Sequence, residues 1–123
     1  MSQLIRNRER AFKVQGGRCY YCHCPMWIGK DDKSFRERYS LTSGQARALR
    51  CTAEHVIARC DGGKDNAENI VAACERCNFG RHARKKPKTP TEFAAHVGRR
   101  IRALRWHDFD VQSRGLLPSG TSP

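Results

Sequence analysis

The sequence predicts a small α+β domain: a two-stranded hairpin and a helix, stapled by four cysteines and flanked by N- and C-terminal helices. Two observations carry this prediction. Two CxxC pairs, Cys19 to Cys22 and Cys74 to Cys77, lie far apart in the sequence and can close on one metal ion. Between them, an apolar run, a Gly-Gly turn and a second apolar run lead directly into a basic helix. The order strand, loop, strand, helix is typical of a metal-stapled hairpin-plus-helix.

The length and cysteine content favour a metal-stabilised domain over a disulfide-bonded one. The chain has 123 residues, and a globule of this size buries only about two thirds of the surface that its unfolded chain exposes. It therefore needs additional cross-links. Seven cysteines are present, an odd number, and the N-terminal sequence MSQLIRNRER has no apolar segment of a secretory signal. We expect a cytoplasmic protein whose thiols are free or metal-bound.

The charge balance points to a polyanionic partner. Lys and Arg number 24 against 12 Asp and Glu, for a formal net charge of +12, and the basic residues recur in every segment. Such a charge favours nucleic acid as the partner, with solubility or a membrane surface as the alternative reading. No stretch approaches the roughly 20 apolar residues of a membrane-spanning helix.

The cysteine spacing predicts one structural zinc ion. Two residues between paired cysteines let both sulfurs reach one ion with tetrahedral geometry. A site with four thiolate ligands is closed, so it stabilises the fold and has no position for a substrate. The predicted zinc ligands are Cys19, Cys22, Cys74 and Cys77. The remaining cysteines, Cys24, Cys51 and Cys60, are expected to be small buried or half-buried thiols, with Cys24 as a competitor of Cys22 for zinc.

The elements before the core are a helix and a poorly defined connection. A basic helix is predicted over Leu4 to Gln15, ended by Gly16-Gly17. In the connection, residues 28–49, we assign no chemistry. Phe35 to Leu41 is predicted as a short strand or turn, and Ser43 to Leu49 as a short helix capped by Ser43.

The core and the C-terminal elements follow from clearer signals. Strands are predicted over Cys51 to Ile57 and Ile70 to Ala73, joined by a loop over Arg59 to Asn66, and a helix over Glu75 to Lys85. Thr89 and Glu92 form a capping box that begins the last helix, with Pro90 at its first position. We predict a single domain over residues 1–114, with its core at 17–86, its last helix at 90–107 and a disordered tail at 115–123. The apolar stripe of the last helix consists of Phe93, Val97, Ile101 and Leu104.

An ordered set of motifs in this chain resembles the HNH endonuclease family, whose core is the ββα-metal fold. The resemblance covers roughly residues 10 to 86. It implies a metal-dependent DNA endonuclease in which a histidine is the general base and one divalent ion is bound. The motifs are Cys19-x-x-Cys22, Glu54-His55, Gly62-Gly63, Asn69-Ile70 and Cys74-x-x-Cys77-Asn78.

The resemblance also implies a role for each matching residue. His55 corresponds to the general base, Asn69 to the residue that braces its loop, and Glu54 and Asn78 to the ligands of the catalytic metal. Two departures stand out. The family usually has Asp or His where this chain has Glu54, and the final motif residue is Asn, the HNN variant.

The residue types themselves suit phosphodiester hydrolysis. The reaction needs a base to activate water and a cation to neutralise charge that builds on the phosphate. An imidazole of ordinary pKa, near roughly 6.5, is mostly neutral at pH 7, so His55 is suited to be the base. Glu54 and Asn78 offer hard oxygen ligands for Mg²⁺ or Mn²⁺. Because neighbours in a strand point to opposite faces, Glu54 and His55 need a strand end or bulge to reach one site.

The helix after the second cysteine pair carries a basic edge. His82 lies one turn beyond Asn78, the spacing of a second helical metal ligand or a phosphate contact, with an exposed surface histidine as the alternative. Contacts to DNA phosphates are predicted for Arg81, Arg84 and Lys85, with a solvated charge run as the alternative. The other histidines, His23, His96 and His107, are expected on the surface.

Two non-enzymatic readings remain open at this point. A zinc-stabilised module that binds nucleic acid without cleaving it would account equally well for the cysteines and the charge. A zinc-framed adaptor that binds another protein is a third reading, which the positive charge disfavours. Steep weakening of binding by salt separates the nucleic-acid readings from the adaptor.

Overall fold

The computed structural model describes residues 2–118 and contains the predicted strand, loop, strand, helix core. Two short 3-10 turns, Arg59–Asp61 and Ala67–Asn69, lie within the loop between the strands. None of the helices in this part of the chain is long and apolar enough to cross a membrane. The elements in order are α1 (Gln3–Val14), α2 (Lys33–Tyr39), α3 (Ser43–Ala48), β1 (Cys51–His55), β2 (Ile70–Cys74), α4 (Glu75–His82) and α5 (Pro90–Arg102).

The two strands form an antiparallel hairpin, in register from the Cys51–Cys74 pair to the His55–Ile70 pair. On the edge that faces away from β1, the second strand is hydrogen-bonded by the side chain of Gln15, which caps the end of α1. The Gln15 side chain donates to the Ala72 carbonyl at 2.8 Å and accepts from the Ala72 amide at 2.9 Å. An amide side chain thus takes the place of a third strand and satisfies the backbone groups of a buried residue.

The connection between the first cysteine pair and the hairpin is helical, which corrects two predictions. Residues Phe35 to Tyr39 belong to α2 and do not form a strand or turn. The Asp32 carboxylate pairs with Arg36 at 3.0 Å, an i to i+4 contact that favours a helix. The cap of α3 is Thr42 rather than Ser43, because the Thr42 hydroxyl accepts from the Gln45 amide in a capping box.

The C-terminal helix begins and packs as predicted. Thr89 and Glu92 form the capping box. In this box the Glu92 carboxylate accepts a hydrogen bond from the Thr89 backbone amide, which lowers the pKa of Glu92. Phe93, Val97 and Ile101 are buried against the core. Three residues of the predicted apolar stripe therefore pack into the core, as helical spacing requires. The fourth, Leu104, lies beyond α5, because the helix ends at Arg102 and not at 107 as predicted, and its backbone is left-handed with a φ of 57°.

The segment after α5 packs back onto the first cysteine turn. Leu116 is fully buried and its carbonyl accepts a hydrogen bond from Arg18 at 3.2 Å. The disorder predicted from Gly115 onward is therefore wrong for Leu116, because an apolar side chain finds a place in the core. Residues 119–123, the rest of the predicted tail, lie outside the described residues.

The two cysteine pairs meet in the interior. The four sulfur atoms of Cys19, Cys22, Cys74 and Cys77 lie within 4.8 Å of one another, and all four residues are buried. The Cys22 and Cys74 sulfurs are 3.8 Å apart, which is the separation of about 3.8 Å expected around a tetrahedral zinc ion with Zn–S bonds of about 2.3 Å. The cluster fits a structural zinc ion.

Backbone amides already point at these sulfurs. The amides of Tyr21 and Cys74 donate to the Cys19 sulfur at 3.4 and 3.3 Å. Burial opposes ionisation of all four thiols. Hydrogen bonds from the thiols of Cys22, Cys74 and Cys77 nevertheless hold the pKa of Cys19 well below its usual range. Burial raises the pKa of Cys22, Cys74 and Cys77, so zinc binding must displace their protons.

Removal of zinc is expected to unfold this domain. Structural zinc contributes on the order of 10 to 16 kcal/mol in small metal-stabilised domains, which is as large as the whole stability of a typical domain. A strong chelator should therefore abolish the helical far-UV circular dichroism signal, and added Zn²⁺ should restore it. The matched control is Cys60→Ser, which removes an exposed thiol and should retain metal and fold. A chelated, verifiably metal-free protein with an unchanged spectrum would contradict the prediction.

Candidate functional site

The Glu54 carboxylate lies at the centre of the site, between β1 and α4. It is completely buried, and three side chains surround it. The Tyr21 hydroxyl donates to Oε2 at 3.0 Å, Arg81 donates to the same oxygen at 3.2 Å, and His82 Nε2 lies 2.7 Å from Oε1. A buried carboxylate needs partners of this kind, because taking an unpaired charge out of water is costly.

Tyr21 is a neutral donor in this group. Burial, and after it the charge of Glu54, raise the pKa of Tyr21 above its usual value. Its ring also packs edge-on against Phe93 of α5, with ring centres 5.0 Å apart. The carboxylate is therefore connected through Tyr21 to the first cysteine turn and to the C-terminal helix.

Arg81 does not have the position expected of a phosphate contact. Its side chain is 4% exposed and it forms an ion pair with Glu54. Its other N–H groups donate to the backbone carbonyls of His55, Val56 and Lys88 at 2.8 to 3.0 Å. The prediction that Arg81 contacts DNA phosphate is wrong in this structure, because its donors point into the protein. Arg84 and Lys85, predicted with it, are exposed just beyond the end of α4.

The structure brings His82, and not Asn78, against the Glu54 carboxylate. Asn78 lies one turn earlier on α4, where its Nδ2 donates to Thr52 Oγ1 at 3.0 Å and to the Ala53 carbonyl at 3.1 Å. These bonds hold α4 against β1 and leave the amide oxygen as the atom that Asn78 could offer to an ion. His82, whose side chain is 30% exposed, closes the solvent side of the Glu54 carboxylate.

His55 ends β1, and its side chain contacts a different set of side chains from that of Glu54. Its Nε2 lies 2.8 Å from Oδ1 of Asp65, and Asp65 also pairs with Arg59 at 3.2 Å. The hydrogen bond to His55 holds the pKa of Asp65 below its usual value; desolvation opposes this shift, and the Arg59 charge adds to it. Because a carboxylate can only accept, this contact places a proton on Nε2 and leaves the ring lone pair on Nδ1.

Arg59 is close to the same ring nitrogen. Its Nε lies 3.2 Å from Nε2 of His55. A nitrogen that donates to Asp65 cannot also accept from Arg59. The ion pair of Arg59 with Asp65 is the contact compatible with that proton position, so Arg59 supports His55 through the carboxylate.

Asn69 ties together the two ends of the loop after His55. Its Oδ1 accepts from the Ile57 amide at 2.7 Å, and its Nδ2 donates to the carbonyls of Ile57 and Lys64 at 3.0 and 2.9 Å. Gly63 makes the closure possible, because a Cβ there would lie 1.7 Å from the Ile57 carbonyl oxygen. The buried amide of Asn69 thus fixes the backbone on which His55 and Asp65 face each other.

Three residues of the site were not predicted from the sequence, namely Tyr21, Arg59 and Asp65. Tyr21 belongs to the first cysteine turn, and its contact with Glu54 crosses more than thirty positions of sequence. Asp65 carried one usable signal, since it is an acidic residue within a loop that begins with basic Arg59. Its pairing with His55 depends on the closed shape of the loop.

Breaking the Glu54–Arg81 pair is expected to destabilise the protein. Removing one member of a buried ion pair leaves the other charge buried and uncompensated, which costs about 3 to 5 kcal/mol. Arg81→Ala should lower the urea midpoint of unfolding accordingly, whereas Arg84→Ala, an exposed arginine three residues away, should change it little. Equal midpoints for the two variants would show that the buried pair is not needed for stability.

Comparison with known proteins agrees with this geometry. Residues 42–84 match the family model described as HNH endonuclease. No curated protein and no solved structure matched the chain. The matched segment spans α3, the hairpin, the loop braced by Asn69 and all of α4. Residues 42–84 thus carry an HNH endonuclease domain match, and the ββα order together with the four-cysteine cluster is consistent with a small ββα-metal fold of the HNH type.

Proposed function

We propose that this protein is a metal-dependent HNH endonuclease that hydrolyses phosphodiester bonds in DNA. The family match supports a nuclease-type activity, and the net charge of +12 suits a nucleic-acid substrate. The observation that carries the proposal is the contact between Glu54 and His82. It joins a carboxylate and an imidazole at 2.7 Å directly beside the strand end that presents His55.

One divalent ion would be bound by Glu54 Oε1 and His82 Nε2, with the Asn78 amide oxygen as a third ligand. The other carboxylate oxygen, Oε2, is held by Tyr21 and Arg81, which fixes the carboxylate. When bound, the ion supplies a positive charge that stabilises the phosphate in the transition state. Mg²⁺ prefers sites made only of oxygen ligands, and this site includes a histidine nitrogen. We therefore favour Mn²⁺ over Mg²⁺.

His55 is the proposed general base, and Asp65 is its positioning residue. The Asp65 carboxylate fixes the proton on Nε2, so Nδ1 is the nitrogen that can take a proton from water. Asn69 holds the loop that carries both residues. In this arrangement the base and the metal ligands lie on the two sides of one strand end, and substrate would bridge them.

The exposed basic residues are proposed to bind the DNA backbone. Arg84 and Lys85 follow α4 directly and are solvent-exposed. Family resemblance suggests that the hairpin and this helix approach the minor groove of duplex DNA. Phosphate contacts of this kind should make binding weaken steeply as salt increases.

A second candidate function is a nucleic-acid-binding module that does not cleave. One observation favours it: the Arg81 guanidinium compensates the Glu54 charge that a catalytic cation would need. In this case the family's site would have become a structural ion pair. Both functions require DNA binding, so cleavage alone separates them.

Substitution of His55 is expected to abolish most cleavage without abolishing binding. His55→Ala should lower the rate by the roughly 100- to 10,000-fold that a general base supplies. The measurement is nicking and linearisation of supercoiled plasmid in Mg²⁺, Mn²⁺ or EDTA, with DNA binding followed separately by gel shift. His96→Gln, outside the site, is the matched control. Near-normal cutting by His55→Ala would remove His55 from the mechanism.

The metal ligands are tested best at His82, because Glu54 is also needed for folding. His82→Ala should lower cleavage and raise the Mn²⁺ concentration needed for half-maximal rate. Its urea midpoint should fall far less than that of Arg81→Ala, because His82 lies on the solvent side of the carboxylate. If the wild type shifts plasmid on a gel but leaves it intact with every ion, the non-catalytic module is favoured.

Substitution of Asp65 is expected to slow the chemical step. Asp65→Asn keeps the shape of the side chain but no longer requires the proton to be on Nε2. We expect kcat to fall by more than about tenfold. The upper limit is the roughly 10,000-fold loss that follows removal of the carboxylate partner of a catalytic histidine. KM and DNA affinity should be unchanged. An unchanged pH profile and kcat would show that Asp65 has no positioning role.

A further inference from the structure

A second group of potential metal ligands lies beside the four-cysteine cluster. Cys22, Cys24 and His107 each direct one ligand atom into this group, and these atoms lie within 4.8 Å of one another. The three residues are 2%, 0% and 7% exposed. Cys22 belongs to both groups, so the two groups share one sulfur.

His107 is the unexplained member of this group. It was expected on the surface, yet it is buried. Among residues 2–118, neither of its ring nitrogens has a hydrogen-bond partner. Buried polar atoms are nearly always paired, because burial without a partner is costly. A metal ion bound to one nitrogen would account for a histidine in this position.

The fold holds His107 in place from both sides. The preceding residue, Trp106, donates its indole N–H to the Cys77 sulfur at 3.2 Å, and its carbonyl accepts from Arg76 at 3.3 Å. On the other side, the ring of Phe109 packs against the His107 ring, with centres 5.2 Å apart. The imidazole is therefore fixed beside the cysteines by Phe109 and by Trp106, which itself contacts Cys77 of the first cluster.

We propose that Cys22, Cys24 and His107 bind a second Zn²⁺ ion, with the Cys22 thiolate shared by both ions. Two thiolates and an imidazole are soft and borderline ligands that suit zinc and exclude Mg²⁺. On binding, the Cys24 thiol loses its proton to solvent and the sulfur lone pair forms the bond to zinc. No change of oxidation state is involved.

The charge balance of the cluster also favours a second ion. One Zn²⁺ ion does not neutralise four buried thiolates. A second ion brings two positive charges and requires only one additional thiolate, that of Cys24. The buried negative charge therefore falls, which reduces the cost of holding it away from water.

Metal content tests the proposal directly. Protein purified with Zn²⁺ and dialysed at neutral pH should contain about two zinc ions per chain by mass spectrometry, and Cys24→Ser and His107→Gln about one each. Cys60→Ser and His96→Gln, one cysteine and one histidine outside the cluster, should retain about two. One zinc ion in the wild type would overturn the proposal, as would two in either cluster variant. One zinc ion in the wild type would mean that Cys24 only competes with Cys22 for one ion.

A second measurement avoids the risk that a buried variant fails to fold. Wild-type protein loaded with ¹¹³Cd²⁺ should give two cadmium resonances, coupled to each other through the shared Cys22 sulfur. A single resonance, or two without mutual coupling, would contradict the shared-thiolate site.

Discussion

The close approach of the two cysteine pairs is the constraint on which the other contacts depend. It joins a turn near the N-terminus to the end of β2 and the start of α4, across more than fifty positions of sequence. Trp106 adds the segment after α5 through the Cys77 sulfur. A chain of this size gains limited stability from apolar burial, so one point that unites four segments fixes their relative positions. The Tyr21–Glu54 contact exists because the cysteine turn is held against the hairpin.

Glu54 meets two opposing demands, since a buried carboxylate needs a compensating charge while a metal ligand needs a free negative charge. The alternation of side chains along β1 points it away from His55. As a buried carboxylate, Glu54 needs the compensating charge of Arg81, which weakens its attraction for a cation. Its two oxygens have different partners, since Tyr21 and Arg81 contact Oε2 while His82 contacts Oε1 on the more exposed side. Stability and ion binding can thus be served by different atoms of one side chain. Arg81 also joins the two halves of the site, because the nitrogen that contacts Glu54 donates to the His55 carbonyl as well.

The sequence by itself determined what depends on spacing and local chemistry. The CxxC pairs indicated the four-cysteine cluster, the apolar runs around Gly62-Gly63 indicated the hairpin, and the capping box at Thr89 marked the start of α5. These signals are local, because each depends on residues within a few positions of one another or on ligand chemistry with few solutions. The helical form of Phe35 to Tyr39 was missed, since short segments with mixed apolar spacing fit more than one element.

Only the tertiary structure decided which side chains face each other. On sequence, Arg81 resembles its exposed neighbours Arg84 and Lys85, and His107 resembles any surface histidine. Burial distinguishes them, and burial is set by contacts with distant segments: β1 for Arg81, and the cysteine turn for His107. The same reason applies to the choice of His82 over Asn78 beside Glu54. Helical spacing places both on one face, but only the packing of α4 on β1 decides which one reaches the carboxylate.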